Sequence, residues 1–196
     1  MNTRIILASG SPRRKELLAQ IGLKPEIIVS DVEEQTAFSS PEKVVKDLSM
    51  QKAMAVAAGI DDNNAIVIAA DTVVTIDGRI LGKPADHEEA AEMIRTLQGR
   101  AHEVFTGVTI VRGCRKGDIP TFRESFAECT AVHVFPMSEE EIRGYADSEE
   151  PMDKAGAYGI QGAFAAYISG IEGDYNNVVG LPVGRLYQLI KRYLNG

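Results

Sequence analysis

Apolar residues fall into two rhythms along this chain, short runs that suit buried strands and spacings of three and four that suit helices. Residues 4–7 predict a short strand, and Leu17, Leu18 and Ile21 predict an amphipathic helix that Pro12 opens and Gly22 stops. Residues 26–29 predict a second strand, followed by a polar loop through Ser39 and a helix with Ser40 as N-cap and Pro41 at its first position. An apolar, β-branched run at 65–70 reads as a buried strand. Residues 73–76 form another run, closed by the hairpin turn Asp77-Gly78. Asp86 with Glu89 predicts a capped helix that ends at Gly99. Strands follow near 104–111 and 126–135, with 113–125 as a surface hairpin. Ser138 and Glu141 then open a helix, and Leu186, Leu189, Ile190 and Tyr193 share one face of a closing helix. The glycine-rich stretch 155–162 obeys neither period, and Asp174-Tyr175-Asn176-Asn177 reads as a turn. Strands and helices alternate without linker, repeat or low-complexity tract, which predicts an α/β (mixed α+β) domain.

Several residues interrupt this pattern. Ala8-Ser9-Gly10-Ser11-Pro12-Arg13-Arg14 joins the first strand to the first helix through small residues and ends in two guanidinium groups. Free backbone N–H groups, hydroxyls and arginines at the positive end of a helix dipole suit a phosphate; a plain capped turn with a solvated arginine pair is the alternative. The spacing is not the Gly-x-x-x-x-Gly-Lys loop. Lys52 falls on the stripe of Val45, Leu48 and Val56, where it either snorkels to water or aims its ammonium into a cleft. Asp71 directly follows the apolar run, which places a carboxylate at a strand's carboxyl end, either as a turn residue or in a ligand crevice. Glu33 and Glu34 lie in the polar loop. Asp71 and Glu34 offer the hard oxygen atoms and the base that metal-assisted hydrolysis of a phosphoanhydride needs. Lys83, in Leu81-Gly82-Lys83-Pro84, is a further loop cation, and Lys154 and Gln161 add polar reach to the glycine-rich stretch.

Composition narrows the field. With 196 residues the chain lies between one large domain and two small lobes, and at 44% hydrophobic and 25% charged it reads as a soluble globular protein able to bury a full core. No apolar run is long enough to span a membrane and no signal peptide is recognisable, so a cytoplasmic protein is expected. A formal net charge of −7 argues against broad nucleic-acid binding, and an anionic ligand must be held by local cations. Cys114 and Cys129 lack metal-type spacing and read as reduced, partly buried thiols; His87, His102 and His133 lack the spacing of a zinc site.

Five elements in order, ASGSPRR at 8–14, ADTVV at 70–74, GKP at 82–84, DKAGAYGIQG at 153–162 and VGLPV at 179–183, resemble the Maf family of nucleoside triphosphate pyrophosphatases, nearly end to end. The resemblance implies a single domain over 1–196, an elongated mixed sheet in two lobes around a deep active-site cleft, similar to the inosine triphosphate pyrophosphatase fold. It also implies a hydrolase of nucleotide metabolism that uses a divalent metal, Mg²⁺ or Mn²⁺, to cleave between the α and β phosphates. Ser9, Arg13, Arg14, Lys52 and Lys83 would then neutralise the triphosphate. Glu34 and Asp71 would hold the metal, and Asp71 would take the proton of the attacking water.

Arg13, Thr72 and Gln161 resemble the branch of the family that acts on dTTP and UTP, including 5-methyluridine triphosphate, rather than the 7-methyl-GTP branch. The chemistry agrees for Gln161, whose amide offers both a donor and an acceptor to the O4/N3–H edge of uracil or thymine. The implied partner is a nucleoside triphosphate, with no nucleic acid and no membrane, and a homodimer stays an open alternative. A nucleotide-sensing regulator of cell division that binds without turnover is the rival reading.

Overall fold

The structure, a computed structural model, describes residues 3–194. Its strands are β1 (Ile5–Leu7), β2 (Glu26–Ile27), β3 (Asp62–Ile76), β4 (Arg79–Leu81), β5 (Ala101–Cys114), β6 (Phe122–Val134) and β7 (Ile168–Glu172). Its helices are α1 (Pro12–Gln20), α2 (Pro41–Ala57), α3 (His87–Leu97), α4 (Glu139–Ala146), α5 (Tyr175–Val179) and α6 (Val183–Leu194). The strands form one mixed sheet in the order β2-β1-β3-β5-β6-β7, with β4 paired to β3. The mixed α+β expectation is borne out. Among the described residues no helix is long and apolar enough to cross a membrane.

The chain divides into two compact units. The first comprises residues 1–71, 106–128 and 180–196, and the second 72–105 and 129–179. In the first, β1 pairs in parallel with β2 and with β3, Leu7 opposite Ile68. Ile66 and Ile68 point to one face of β3 and Ala65, Val67 and Ala69 to the other, and all five are fully buried, so this half of the strand is covered on both sides. Ala53, Val56 and Ala57 of α2 pack into the cluster of Ala65, Val67 and Ala69. Gly107 lets α2 come this close: a Cβ there would stand 2.2 Å from Val45 O. Buried Ser49 Oγ and Thr109 Oγ1, 2.9 Å apart, tie the same helix to β5.

In the second unit, β3 and β4 form an antiparallel hairpin with Ile76 opposite Arg79, and Asp77 and Gly78 take φ of 52° and 73° as its two-residue turn demands. Asp86 Oδ1 accepts from Glu89 N–H at 2.8 Å to cap α3, while Glu89 Oε2 accepts from Ala85 N–H rather than from the cap residue itself. Ser138 and Glu141 complete a capping box on α4. Exposed ion pairs, Arg95 with Glu139 and Arg143 with Glu88, link α3 to α4.

Four readings of the sequence need correction. The runs at 65–70 and 73–76 are one strand, because β-branched Thr72, Val73, Val74 and Thr75 carry the extended backbone through Asp71. The second strand shrinks to two exposed residues, and an unforeseen strand, β7, follows the glycine-rich stretch, antiparallel to β6. The turn at 174–177 opens α5, where Asn177 is fully buried and donates to Val104 O and Thr130 Oγ1. Cys114 is buried as expected, but Cys129 is exposed.

Candidate active site

In the first unit the chain leaves β1 through Ala8, whose N–H still donates to Ile68 O, and turns through Ser9 and Gly10 into α1. Ser9 is buried, and its Oγ accepts from Ser11 N–H at 3.3 Å and from Arg14 Nη1 at 3.0 Å. Arg14 Nε donates to Gly180 O at 2.9 Å, which lays the guanidinium back over the turn before its own helix. Ser11 stands at the N-cap without a side-chain cap bond, so it does not compete with an anion for the first amides of α1. Burial pulls the Arg14 pKa below its ordinary value; Asp71 and Glu34 oppose that fall and Arg13 adds to it. Their charges are therefore felt at Arg14.

Asp71 is not at the carboxyl end of its strand. It is β1 that ends, opposite Ile68, and β3 runs on past the last residue of that parallel pairing. Strand alternation puts Asp71 on the face of Ala65, Val67 and Ala69, the face that α2 covers. Lys52 of α2 accordingly meets it: Nζ donates to Asp71 Oδ1 at 2.7 Å and lies 3.0 Å from Glu34 Oε2. The Lys52 and Asp71 side chains are 14% and 13% exposed, so the ammonium does not snorkel to water. Glu34 is 44% exposed and belongs to a loop that Gln51 fastens, its Nε2 donating to Gln35 O at 2.6 Å and to Asp47 Oδ2 at 3.0 Å. Sequence reading missed Gln51. Its signal was a glutamine beside Lys52 and one helical turn after Asp47.

The structure thus brings Ser9, Arg13, Arg14, Glu34, Lys52 and Asp71 into one unit. Thr72, Lys83 and Gln161 belong to the other. Thr72 follows Asp71 with its side chain toward the opposite face of β3 and is half-buried. Lys83 is exposed just after β4; beside it, Gly82 O accepts from Gly156 N–H at 2.9 Å, which joins segments 82–84 and 153–162. Gln161 is exposed on a turn closed by Gly162 N–H donating to Gly159 O at 3.1 Å. Lys154 instead folds onto Glu150 O and Asp153 Oδ1.

Among the described residues no three His, Cys, Asp or Glu side chains gather as a complete metal cage. Glu34 and Asp71, two hard carboxylates converging on a single cation, do fit Mg²⁺ or Mn²⁺ held by one or two protein carboxylates, with substrate phosphates and water as the remaining ligands.

A family model described as Maf-like protein matches residues 4–193. A dTTP/UTP pyrophosphatase of Lachnoclostridium phytofermentans is 47% identical over 190 residues, 97% of this chain and 95% of that protein. One of Carboxydothermus hydrogenoformans is 51% identical over 191 residues, 97% and 98% of the two chains. The solved HAM1 protein of Coxiella burnetii shares the fold alone, with a TM-score of 0.54 at 13% identity over 96% of this chain and 98% of that one. With the five motifs in order, a match over nearly all its length and relatives near half identity, this chain belongs to the family of Maf-like proteins.

Proposed function

We propose that this chain is a nucleoside triphosphate pyrophosphatase that hydrolyses dTTP and UTP to the monophosphate and pyrophosphate, a house-cleaning activity. The observation that carries the reading is the placement of Asp71, ion-paired to Lys52 and electrically coupled to Arg14. One carboxylate so placed can act on water while Lys52 and Arg14 hold phosphate oxygens. The names of the relatives support the same substrates.

Ser9, Arg13, Arg14 and Lys52 bind and orient the triphosphate, and Lys83 is a further candidate cation. Asp71 Oδ atoms take a proton from the water that attacks the α-phosphorus; the bond from that phosphorus to the bridging oxygen breaks, and pyrophosphate leaves. Glu34 and Asp71 would hold a divalent ion, which when bound neutralises phosphate charge and polarises the reacting centre. Gln161 pairs its amide with the O4/N3–H edge of the base, and Arg13 and Thr72 complete the specificity set.

The test is product analysis. With dTTP or UTP and Mg²⁺ the purified chain should release pyrophosphate and monophosphate in equal amounts, and Asp71→Asn should slow the release of both by on the order of 10² or more. Orthophosphate as the first product, or tight dTTP binding without turnover, overturns the reading.

A further inference from the structure

The turn that carries Gln161 is fastened on both flanks to one carboxylate. Gly162 N–H donates to Gly159 O, so Ile160 and Gln161 form the corner of a four-residue turn, Ile160 buried and Gln161 exposed. On one flank Gly159 N–H donates to Tyr145 Oη at 3.3 Å, and Tyr145 Oη donates onward to Glu150 Oε1 at 3.0 Å. On the other, Ala163 N–H donates to Glu150 Oε2 at 2.9 Å. A Cβ at residue 162 would stand 2.1 Å from Glu150 Oε1, so the carboxylate passes through the place a side chain would take.

The anchor is itself held. Tyr145 is buried with its ring 5.0 Å from that of Phe164, which is fully buried and lies 4.8 Å from Tyr158. Burial and the Glu150 carboxylate push the Tyr145 phenol well above its usual range, which keeps it a donor. Lys154 Nζ donates to Glu150 O and fixes the main chain of the carboxylate's own residue.

We propose that Glu150 is a positioning residue for base selection: through Tyr145 Oη and Ala163 N–H it fixes turn 159–162 and presents the Gln161 amide to the pyrimidine in one direction. The inference rests on Gln161 as the base-reading residue. A glycine-flanked corner has wide conformational freedom, and a glutamine on a loose turn would lose that freedom only on meeting the base. Glu150 removes it beforehand. The cost of cutting this tie should therefore fall on the preferred pyrimidine and leave phosphate chemistry alone.

Steady-state kinetics with dTTP and dCTP test this, on the parent, Glu150→Ala, Glu150→Gln, Tyr145→Phe, Gln161→Ala and the Glu150→Ala/Gln161→Ala double variant. Glu150→Ala should lower kcat/KM for dTTP on the order of tenfold, chiefly through KM, and change dCTP by less than about twofold. Glu150→Gln should restore most of the selectivity, because its amide can donate to Tyr145 Oη while its oxygen accepts from Ala163 N–H. Tyr145→Phe keeps the ring packing and cuts one flank, so it should give a partial loss even if Glu150→Ala fails to fold. In the Gln161→Ala background, Glu150→Ala should cost no further selectivity. Equal loss for both nucleotides, or an unchanged dTTP preference in Glu150→Ala and Tyr145→Phe while Gln161→Ala loses it, overturns the positioning role alone. An unchanged preference in Gln161→Ala overturns the base-reading assignment, and the positioning role with it.

Discussion

Lys52 Nζ lies 2.7 Å from Asp71 Oδ1, a lysine of α2 meeting a carboxylate of β3 on the single face of the strand that the helix covers. The pair joins the cation and the base of the proposed reaction, and two of the predictions below follow from it.

Asp71→Asn should lower kcat by on the order of 10² or more, because an amide neither accepts the water proton nor supplies an ionic metal ligand. Lys52 retains Glu34 at 3.0 Å, so the fold should survive. Thermal unfolding and pyrophosphate release on the same preparation check both halves. Turnover within a few-fold of the parent removes Asp71 from the mechanism.

Lys52→Ala should weaken triphosphate turnover and also destabilise the chain by about 1–3 kcal/mol, because it leaves the little-exposed Asp71 carboxylate without its ammonium. Glu34 contributes less, being nearly half exposed. In urea unfolding, adding Asp71→Asn to Lys52→Ala should recover part of the loss. Additive losses would mean that the two side chains do not depend on each other.

Most residues of this candidate site stand out in the sequence, for a local reason. Ser9 lies in the turn before α1 and Arg13 and Arg14 in the first turn of that helix, so their chemistry follows from seven consecutive residues, and Lys52 stood out because a charge fell on an apolar stripe. What could not be read were partnerships between distant residues. Glu34 could be paired with Asp71 on chemistry, but not the Lys52 ammonium that both carboxylates meet, nor the Gln51 amide that ties the Glu34 loop to α2. Asp71 looked like a strand end because an apolar run stopped there, yet the β-branched residues after it extend the strand to Ile76. Glu150 gave no sign at all; its role needs Tyr145 on α4 and Ala163 beyond the turn, which meet only in the folded chain.

Stability should fall on acidification below neutrality, through His102. Its Nε2 lies 2.7 Å from Tyr158 Oη, Nδ1 has no partner among the described residues, and burial with a smaller contribution from His133 pushes its pKa from 6.5 down to about 4. Between those values the unfolded chain binds the proton and the folded chain does not. The stability that neutral His102 contributes is therefore whole above pH 6.5 and drains away as pH falls toward 4, by about 3 kcal/mol. Urea unfolding of the parent and of His102→Gln at several pH values between 4 and 7 tests it. The parent's curve should be steeper, and parallel curves would refute the assignment.

Gly107→Ala should cost about 1–3 kcal/mol or more, because its Cβ would stand 2.2 Å from Val45 O and 2.7 Å from Lys46 N, both backbone atoms of α2 that cannot rotate aside. The same push shifts the helix that carries Lys52, so activity should fall with stability. An alanine variant as stable as the parent would show that α2 has slack against β5.

Gln161→Glu should separate base recognition from phosphate chemistry. The exposed amide of Gln161 can donate to O4 of uracil or thymine and accept from N3–H, whereas a carboxylate only accepts and faces the O4 carbonyl with like charge. A lost hydrogen bond against an unpaired acceptor costs roughly 1–3 kcal/mol, so kcat/KM for dTTP and UTP should drop about ten- to a hundredfold. Cytosine places an amino group where thymine has O4, so dCTP should lose much less and gain relative to dTTP. Pyrophosphate inhibition should be unchanged, because the role proposed for Gln161 is toward the base and not the phosphates. If the variant hydrolyses dTTP as well as the parent does, or loses dTTP and dCTP alike, Gln161 does not read the base, and selectivity must then be sought at Arg13 and Thr72.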